Sequence, residues 1–111
     1  MEPSILKTIK TLLGISETTI AFDDEITAAI NSVMFSLSQM GIGENGFRVI
    51  DDSQTWEQYL SDISLREAVK SYIHLKVKMI FDPPTSTNAV EAINATISEL
   101  EWRLYIDAGN Y

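Results

Sequence analysis

The only histidine, His74, is the residue on which most enzyme chemistry in this chain would depend. A Ser-His-Asp arrangement needs a histidine as its general base, and a multi-histidine metal site needs more than one. His74 falls between Ile73 and Leu75 within an apolar-periodic run. A lone histidine on a core helix is more often packed or surface-polar than catalytic, so the sequence assigns no catalytic residue.

The remaining patterns that can carry chemistry have simpler structural interpretations. "SILK" has the S-x-x-K spacing of certain acyl-transfer enzymes without their companion motifs. "GIGENG" lacks the G-K-[ST] ending of a phosphate-binding loop and favours a flexible turn. Adjacent or near-adjacent carboxylates point in different directions on a helix, so capping and solvated faces explain them better than a metal site. These carboxylate pairs are Asp23 with Asp24, Asp51 with Asp52 and Glu99 with Glu101. We therefore expect no metal and no cofactor.

Length and charge narrow the class of protein further. The 111 residues fit one domain, 1–111, and 45% hydrophobic against 22% charged residues is typical of a folded chain. The formal charge of −8 repels phosphate backbones and anionic lipid, so a protein that grips nucleic acid is disfavoured. The chain has no cysteine, no recognisable secretion signal and no apolar run of the roughly 20 residues that span a membrane. We expect neither disulfides nor membrane insertion.

Helical periodicity dominates the first half of the chain. "PSILKTIKTLLG" predicts a short amphipathic helix that ends at Gly14. A second helix is expected from Asp23 or Asp24, either of which can cap it, to about Met40. Its apolar stripe has the alternating three- and four-residue spacing of one buried face: Ile26, Ile30, Val33, Leu37 and Met40.

The second half adds three more helices after the break at "GIGENG". "FRVI" is expected to be a short extended piece, and Asp52 or Ser53 can cap a short helix around Trp56. Ser64 and Glu67 have capping-box spacing and predict a helix that runs to about Phe81. The last helix is predicted over residues 88 to 106 by an apolar stripe of Val90, Ile93, Ile97, Leu100 and Leu104.

The segment "FDPP" raises the question of whether it is a chemical site or a joint. Pro83 and Pro84 cannot donate the helical hydrogen bond, and Pro83 disfavours helical geometry at Asp82. We interpret Asp82, Pro83 and Pro84 as a turn that stops one helix and aims the next. Three long and two short helices then predict an all-α, compact helical bundle, while their pairing order stays open.

Several of these segments resemble a known family. They are "ILKTIKTLLGI", "FDDEITAAINSVMFSLSQMGIG", "AVKSYIHLKVKMIFDPP" and "ISELEWRL". In this order they resemble the small helical head–tail connector, or head-completion, proteins of long-tailed bacteriophages and prophages. The tandem of K-x-x-x-x-F-D-P-P and I-S-E-L-E-W-R-L is the most specific part. The resemblance covers most of the chain.

The resemblance implies a structural virion protein without catalytic residues. Copies would form a homo-oligomeric ring, dodecameric in the virion, between the portal protein and the head-closure or tail/neck protein. DNA would pass through the ring without sequence-specific binding, and the protein would lie in the virion neck after assembly in the host cytoplasm. Aromatic side chains off the internal seams either cover a neighbouring helix or anchor a subunit or portal interface. The candidates are Trp102, Tyr105, Tyr111 and Phe47.

Two functions from other classes stay open on the sequence alone. A small acidic helical protein can be a regulator that binds a protein partner, for example as a DNA mimic, and would then stay monomeric or dimeric. An enzyme would need a concave pocket with carboxylates converging on His74.

Overall fold

The computed structural model describes residues 4–109, which fold into five α-helices without a β-strand. The predicted all-α bundle of three long and two short helices is therefore confirmed. In chain order the helices are α1 (Ile5–Leu12), α2 (Asp23–Gln39), α3 (Trp56–Tyr59), α4 (Ile63–Phe81) and α5 (Thr87–Asp107).

Helix α4 is the centre of the bundle. It packs against α1, α2 and α5, whereas α5 packs chiefly against α4. The face of α4 that carries Val69, Ile73 and Val77 is fully buried. This arrangement explains why the α4 sequence is apolar on several sides, since three neighbours cover it. Helix α4 thus lies between α2 and α5 in a flat molecule of 41 × 37 × 21 Å.

The buried faces of α2 and α5 follow the predicted stripes. Ile26, Ile30, Val33 and Leu37 of α2 are buried. In α5 only Ile97 and Leu104 are buried, and the other stripe positions are half covered. Helix α5 therefore contributes less to the core and keeps more of its surface exposed.

Three of the expected helix caps are wrong. Phe22 occupies the N-cap position of α2 and makes no side-chain cap hydrogen bond. Helix α3 is capped by Thr55 in a capping box with Gln58, rather than by Asp52 or Ser53. Helix α4 starts earlier than expected, and the carboxylate of Asp62 caps it by accepting a hydrogen bond from the Ser64 amide.

The first carboxylate of α2 takes part in a tertiary contact instead of a cap. Asp23 Oδ1 lies 2.8 Å from Nζ of Lys10, whose side chain is almost completely buried. The same ammonium group donates to the backbone oxygen of Glu17 at 3.2 Å. This pair fixes α1, the link after it and the start of α2 against one another.

The segment at residues 47–50 is held by a side chain rather than by a partner strand. The Asn31 side chain accepts a hydrogen bond from the Val49 amide at 2.8 Å and donates to the Val49 carbonyl at 2.9 Å. One amide side chain thus satisfies both backbone groups of a buried residue, as a neighbouring strand would. The segment is anchored to the flank of α2.

The turn between α4 and α5 contains Asp82, Pro83 and Pro84. Asp82 is the C-cap residue of α4 and lies 4.0 Å from Lys78 through its carboxylate. The preceding Phe81 packs edge-to-face on Phe22, with the ring centroids 5.5 Å apart. The end of α4 is therefore fixed against the residue before α2, and α5 begins again at Thr87 after the Ser86 cap.

Gly43 is the glycine where space as well as backbone conformation excludes a side chain. Its φ is +85°, and an added Cβ would lie 2.6 Å from Cζ of the buried Tyr59. We expect Gly43→Ala to lower the free energy of unfolding by at least about 2 kcal/mol, through left-handed strain and overpacking. Urea unfolding of the purified variant measures the loss.

Gly41 supplies the matched control for this substitution. It has the same φ of +85° with no atom within 4 Å of an added Cβ, so only backbone strain remains. Gly41→Ala should cost about 1 kcal/mol. Equal losses at the two positions would show that the contact with Tyr59 does not restrict residue 43.

Candidate functional site

Two aromatic side chains are exposed together on α5. The side chain of Trp102 is 65% exposed and that of Tyr105 is 46% exposed. They are three residues apart and so neighbours on the helix surface. At about 100° per residue, Trp102 is rotated by about 140° from the buried Ile97, away from α4. We call Trp102 and Tyr105 the α5 aromatic face. Tyr111, the third C-terminal aromatic expected at an interface, lies outside the described residues.

A groove lies on the other side of the molecule, on the outer face of α2. It encloses about 490 Å³ between α2 and the loop at residues 44–48. Phe35, 66% exposed, is its most prominent apolar side chain. Phe47 packs against Tyr59, with the ring centroids 5.2 Å apart. We call it the α2 groove; its lining includes Asn31, Phe35, Glu44, Phe47, Arg48 and Tyr59.

The α2 groove faces away from the core. Phe35 is rotated by about 180° around α2 from the buried Ile26, the first residue of the core stripe. Since α4 lies between α2 and α5, the α2 groove and the α5 aromatic face lie on different flanks of the molecule. The residues predicted for an interface are therefore divided: Phe47 belongs to the α2 groove, and Trp102 and Tyr105 belong to the α5 aromatic face.

Sequence reasoning missed Phe35 and Arg48. Phe35 had a detectable signal, because a large aromatic residue on the polar side of an amphipathic helix has no core position to fill. Arg48 had none, since its place at the groove depends on how Asn31 holds Val49.

Arg48 differs from every other lysine or arginine of residues 4–109. Each of the other seven makes an ion pair, a hydrogen bond to backbone or a contact over an aromatic ring. No such contact involves Arg48, which is exposed at the α2 groove. Arg48 can therefore meet a charged partner without giving up a contact within residues 4–109.

A hydrogen bond between side chains joins α5 to α4. The Tyr72 hydroxyl donates to Oε2 of Glu101 at 2.8 Å. Burial, together with this bond and the negative charge of Glu101, raises the pKa of Tyr72, so the phenol stays a donor. The contact fixes the orientation of α5 around its axis, which keeps Trp102 directed outward.

His74 is half-buried against the end of α1. Burial lowers its pKa, and the charge of Lys78 acts in the same direction, while a hydrogen bond to the Leu12 backbone opposes them. Its Nε2 has no hydrogen-bond partner among the described residues. No three side chains from His, Asp and Glu converge as a metal site within residues 4–109. The geometry around His74 supports a packing role.

The lowered pKa of His74 predicts a dependence of stability on pH. The folded chain holds the imidazole neutral, while the unfolded chain binds a proton below about pH 6.5. The contribution of His74 to stability should therefore be constant above this pH and decline as the pH falls from about 6.5 towards the lower pKa of the folded state. His74→Gln should flatten this part of the curve of unfolding free energy against pH. If the slope of the curve in this pH range is unchanged in the variant, the slope arises from the carboxylates and not from His74.

None of the helices described in residues 4–109 combines the length and the apolar character needed to cross a membrane. A protein-family model described as phage connector protein matches residues 5–110. No curated protein and no solved structure matches the chain. The family match spans nearly the whole sequence, including α1 to α5 and the turn at Asp82.

Proposed function

The chain belongs to the phage connector protein family, a family of structural proteins, and we propose that its copies assemble into a ring between the capsid portal and the tail or neck. The match over residues 5–110 is the observation that carries this proposal. In the proposed assembly residues 1–111 act as one domain, and twelve copies surround the DNA channel in the virion. One end of the ring contacts the portal protein, and the other contacts a head-closure or tail protein.

The distribution of exposed side chains supports a ring. A closed ring of identical subunits needs two different, complementary surfaces on each copy. The α2 groove and the α5 aromatic face lie on different flanks of the molecule and are two different exposed surfaces.

The charge supports a channel through which DNA passes without being held. The formal charge is −8, and most basic side chains are occupied by contacts within the chain. A protein wall that is negative repels phosphates and releases no counterions on contact with DNA. We propose that the inner wall of the ring extends the channel of the portal and binds no DNA sequence.

The turn at Asp82, Pro83 and Pro84 has a mechanical role in this proposal. It sets the direction of α5 relative to α4, and Phe81 fixes the end of α4 against Phe22. The turn therefore determines where Trp102 and Tyr105 stand on the outside of the ring subunit. No step of the proposed function requires catalysis or a cofactor.

Native mass spectrometry of the purified chain, alone and with a portal protein, tests the proposal. The expected result is a closed oligomer of defined mass, either free or bound to the portal, over a range of protein concentrations. Detection of only monomers or dimers, without binding to the portal, would contradict a connector ring.

A further inference from the structure

We infer that the α2 groove of one copy receives the α5 aromatic face of the next copy around the ring. This inference rests on the proposed function, because it names the two surfaces that join neighbouring subunits. It commits to a second copy of this chain as the occupant of the groove.

The α2 groove offers space and apolar surface for the two aromatic rings of α5. The groove volume of about 490 Å³ falls within the range of about 300–1,000 Å³ that is typical of pockets for small ligands. It is therefore large enough to take an indole and a phenol ring. Phe35 and Phe47 supply apolar and aromatic surface, against which Trp102 and Tyr105 can pack edge-to-face or offset.

Helix α5 is acidic, and the α2 groove contains an arginine without an ion pair. Helix α5 contains four acidic residues and one basic residue, a formal charge of −3. Arg48 and Glu44 both line the groove, and Arg48 has no ion pair among the described residues. Glu99 is three residues from Trp102, and its exposed carboxylate pairs with Arg103 of the same helix at 3.3 Å. Attraction between Arg48 of one copy and the acidic α5 of the next favours this orientation. The net charges of the two copies otherwise repel each other.

The two surfaces lie on different flanks of the same chain. Trp102 points away from α4 on one flank, and Phe35 points away from it on the other, so neither surface can reach the other within one chain. A contact between copies is then head-to-tail, with each copy using both surfaces. Such a contact repeats around an axis and closes into a ring when the rotation permits.

Single substitutions at exposed positions test how much each surface contributes to the association of copies. Trp102→Ala and Phe35→Ala should each weaken association of copies by roughly 30-fold, the effect expected of a central interface residue. Both variants should keep the thermal unfolding midpoint of the wild type, since both side chains are exposed. Ile63→Ala is the matched control, because Ile63 is equally exposed on α4 and belongs to neither surface.

Chemical cross-linking tests the pairing itself. The chain has no cysteine, so only introduced thiols react. Ser32→Cys places a thiol in the α2 groove, and Ser98→Cys places one on α5, a turn before Trp102. Rings are assembled from an equal mixture of the two variants, on the portal if it is required, and treated with a short bifunctional maleimide. Ser71→Cys, exposed on α4, replaces Ser32→Cys in the control mixture.

The outcomes separate this inference from the proposed function. Rings whose cross-linked dimers are mainly the mixed Ser32→Cys and Ser98→Cys species, with few in the Ser71→Cys control, support the pairing. Rings that give equal amounts of like and mixed cross-linked dimers overturn the pairing of the two surfaces. The proposal that the copies form a ring would then still stand. Cross-linking of Ser32→Cys to the portal or tail component also overturns it. Failure of the wild-type chain to form rings with or without the portal overturns both.

Discussion

Trp56→Ala is expected to lower the free energy of unfolding by about 3–5 kcal/mol, the usual cost of removing a large buried aromatic side chain. Trp56 is only 1% exposed, and its indole N–H donates to the Thr8 hydroxyl at 3.1 Å. The Lys70 ammonium lies 5.6 Å from the centre of the ring. Trp56 thus joins α1, α3 and α4. Urea unfolding and a fall in Tm of more than about 10 °C would show the effect.

The second tryptophan is the matched control. Trp102 is 65% exposed, so Trp102→Ala should change the free energy of unfolding by less than about 0.5 kcal/mol. The same variant is the one expected to weaken association of copies. A large loss of stability in Trp102→Ala with normal assembly would place Trp102 in the core and remove it from the interface.

Asp23→Ala is expected to cost about 2–3 kcal/mol, because it leaves the buried ammonium of Lys10 without its counter-charge. The value is below that for a fully buried pair since the Asp23 side chain is 28% exposed and partly screened by water. After the substitution the Lys10 ammonium keeps the Glu17 carbonyl as an uncharged acceptor. Chemical denaturation at neutral pH measures the loss.

Asp24→Ala distinguishes the ion pair from the general effect of acid at a helix start. Asp24 is exposed in the same first turn of α2, so its loss removes only a helix-dipole term of about 0.3–1 kcal/mol. Replacing both partners, in Lys10→Met with Asp23→Leu, should recover stability relative to Asp23→Ala. Equal losses for Asp23→Ala and Asp24→Ala would show that the contact with Lys10 contributes little.

The helices could be predicted from sequence because their signals are local. The stripe from Ile26 to Leu37 and the pair of prolines after Phe81 each act within a few residues. Helix ends were less predictable, since a carboxylate can either cap or form a tertiary contact. Asp23 pairs with Lys10, thirteen residues earlier, and a pattern in one helix cannot show that competition.

The two surfaces depend on longer-range contacts. The sequence indicates the aromatic residues at positions 47, 102 and 105 as interface candidates. It does not indicate that they lie on two different flanks of the molecule. That division follows from α4 lying between α2 and α5, and the pairing order of helices does not follow from periodicity. The α2 groove depends further on Asn31, whose side chain holds Val49 in place of a strand.

Negative-stain electron microscopy of the chain mixed with a portal protein tests the connector assignment most directly. The expected class averages show a second ring stacked coaxially on one end of the portal, with a channel continuous through both. In the same experiment most portals should lack the second ring when the Trp102→Ala variant is used. The Ile63→Ala variant should give the same class averages as the wild type. Portals that remain bare at saturating concentrations of the folded wild-type chain would contradict a connector that docks on the portal.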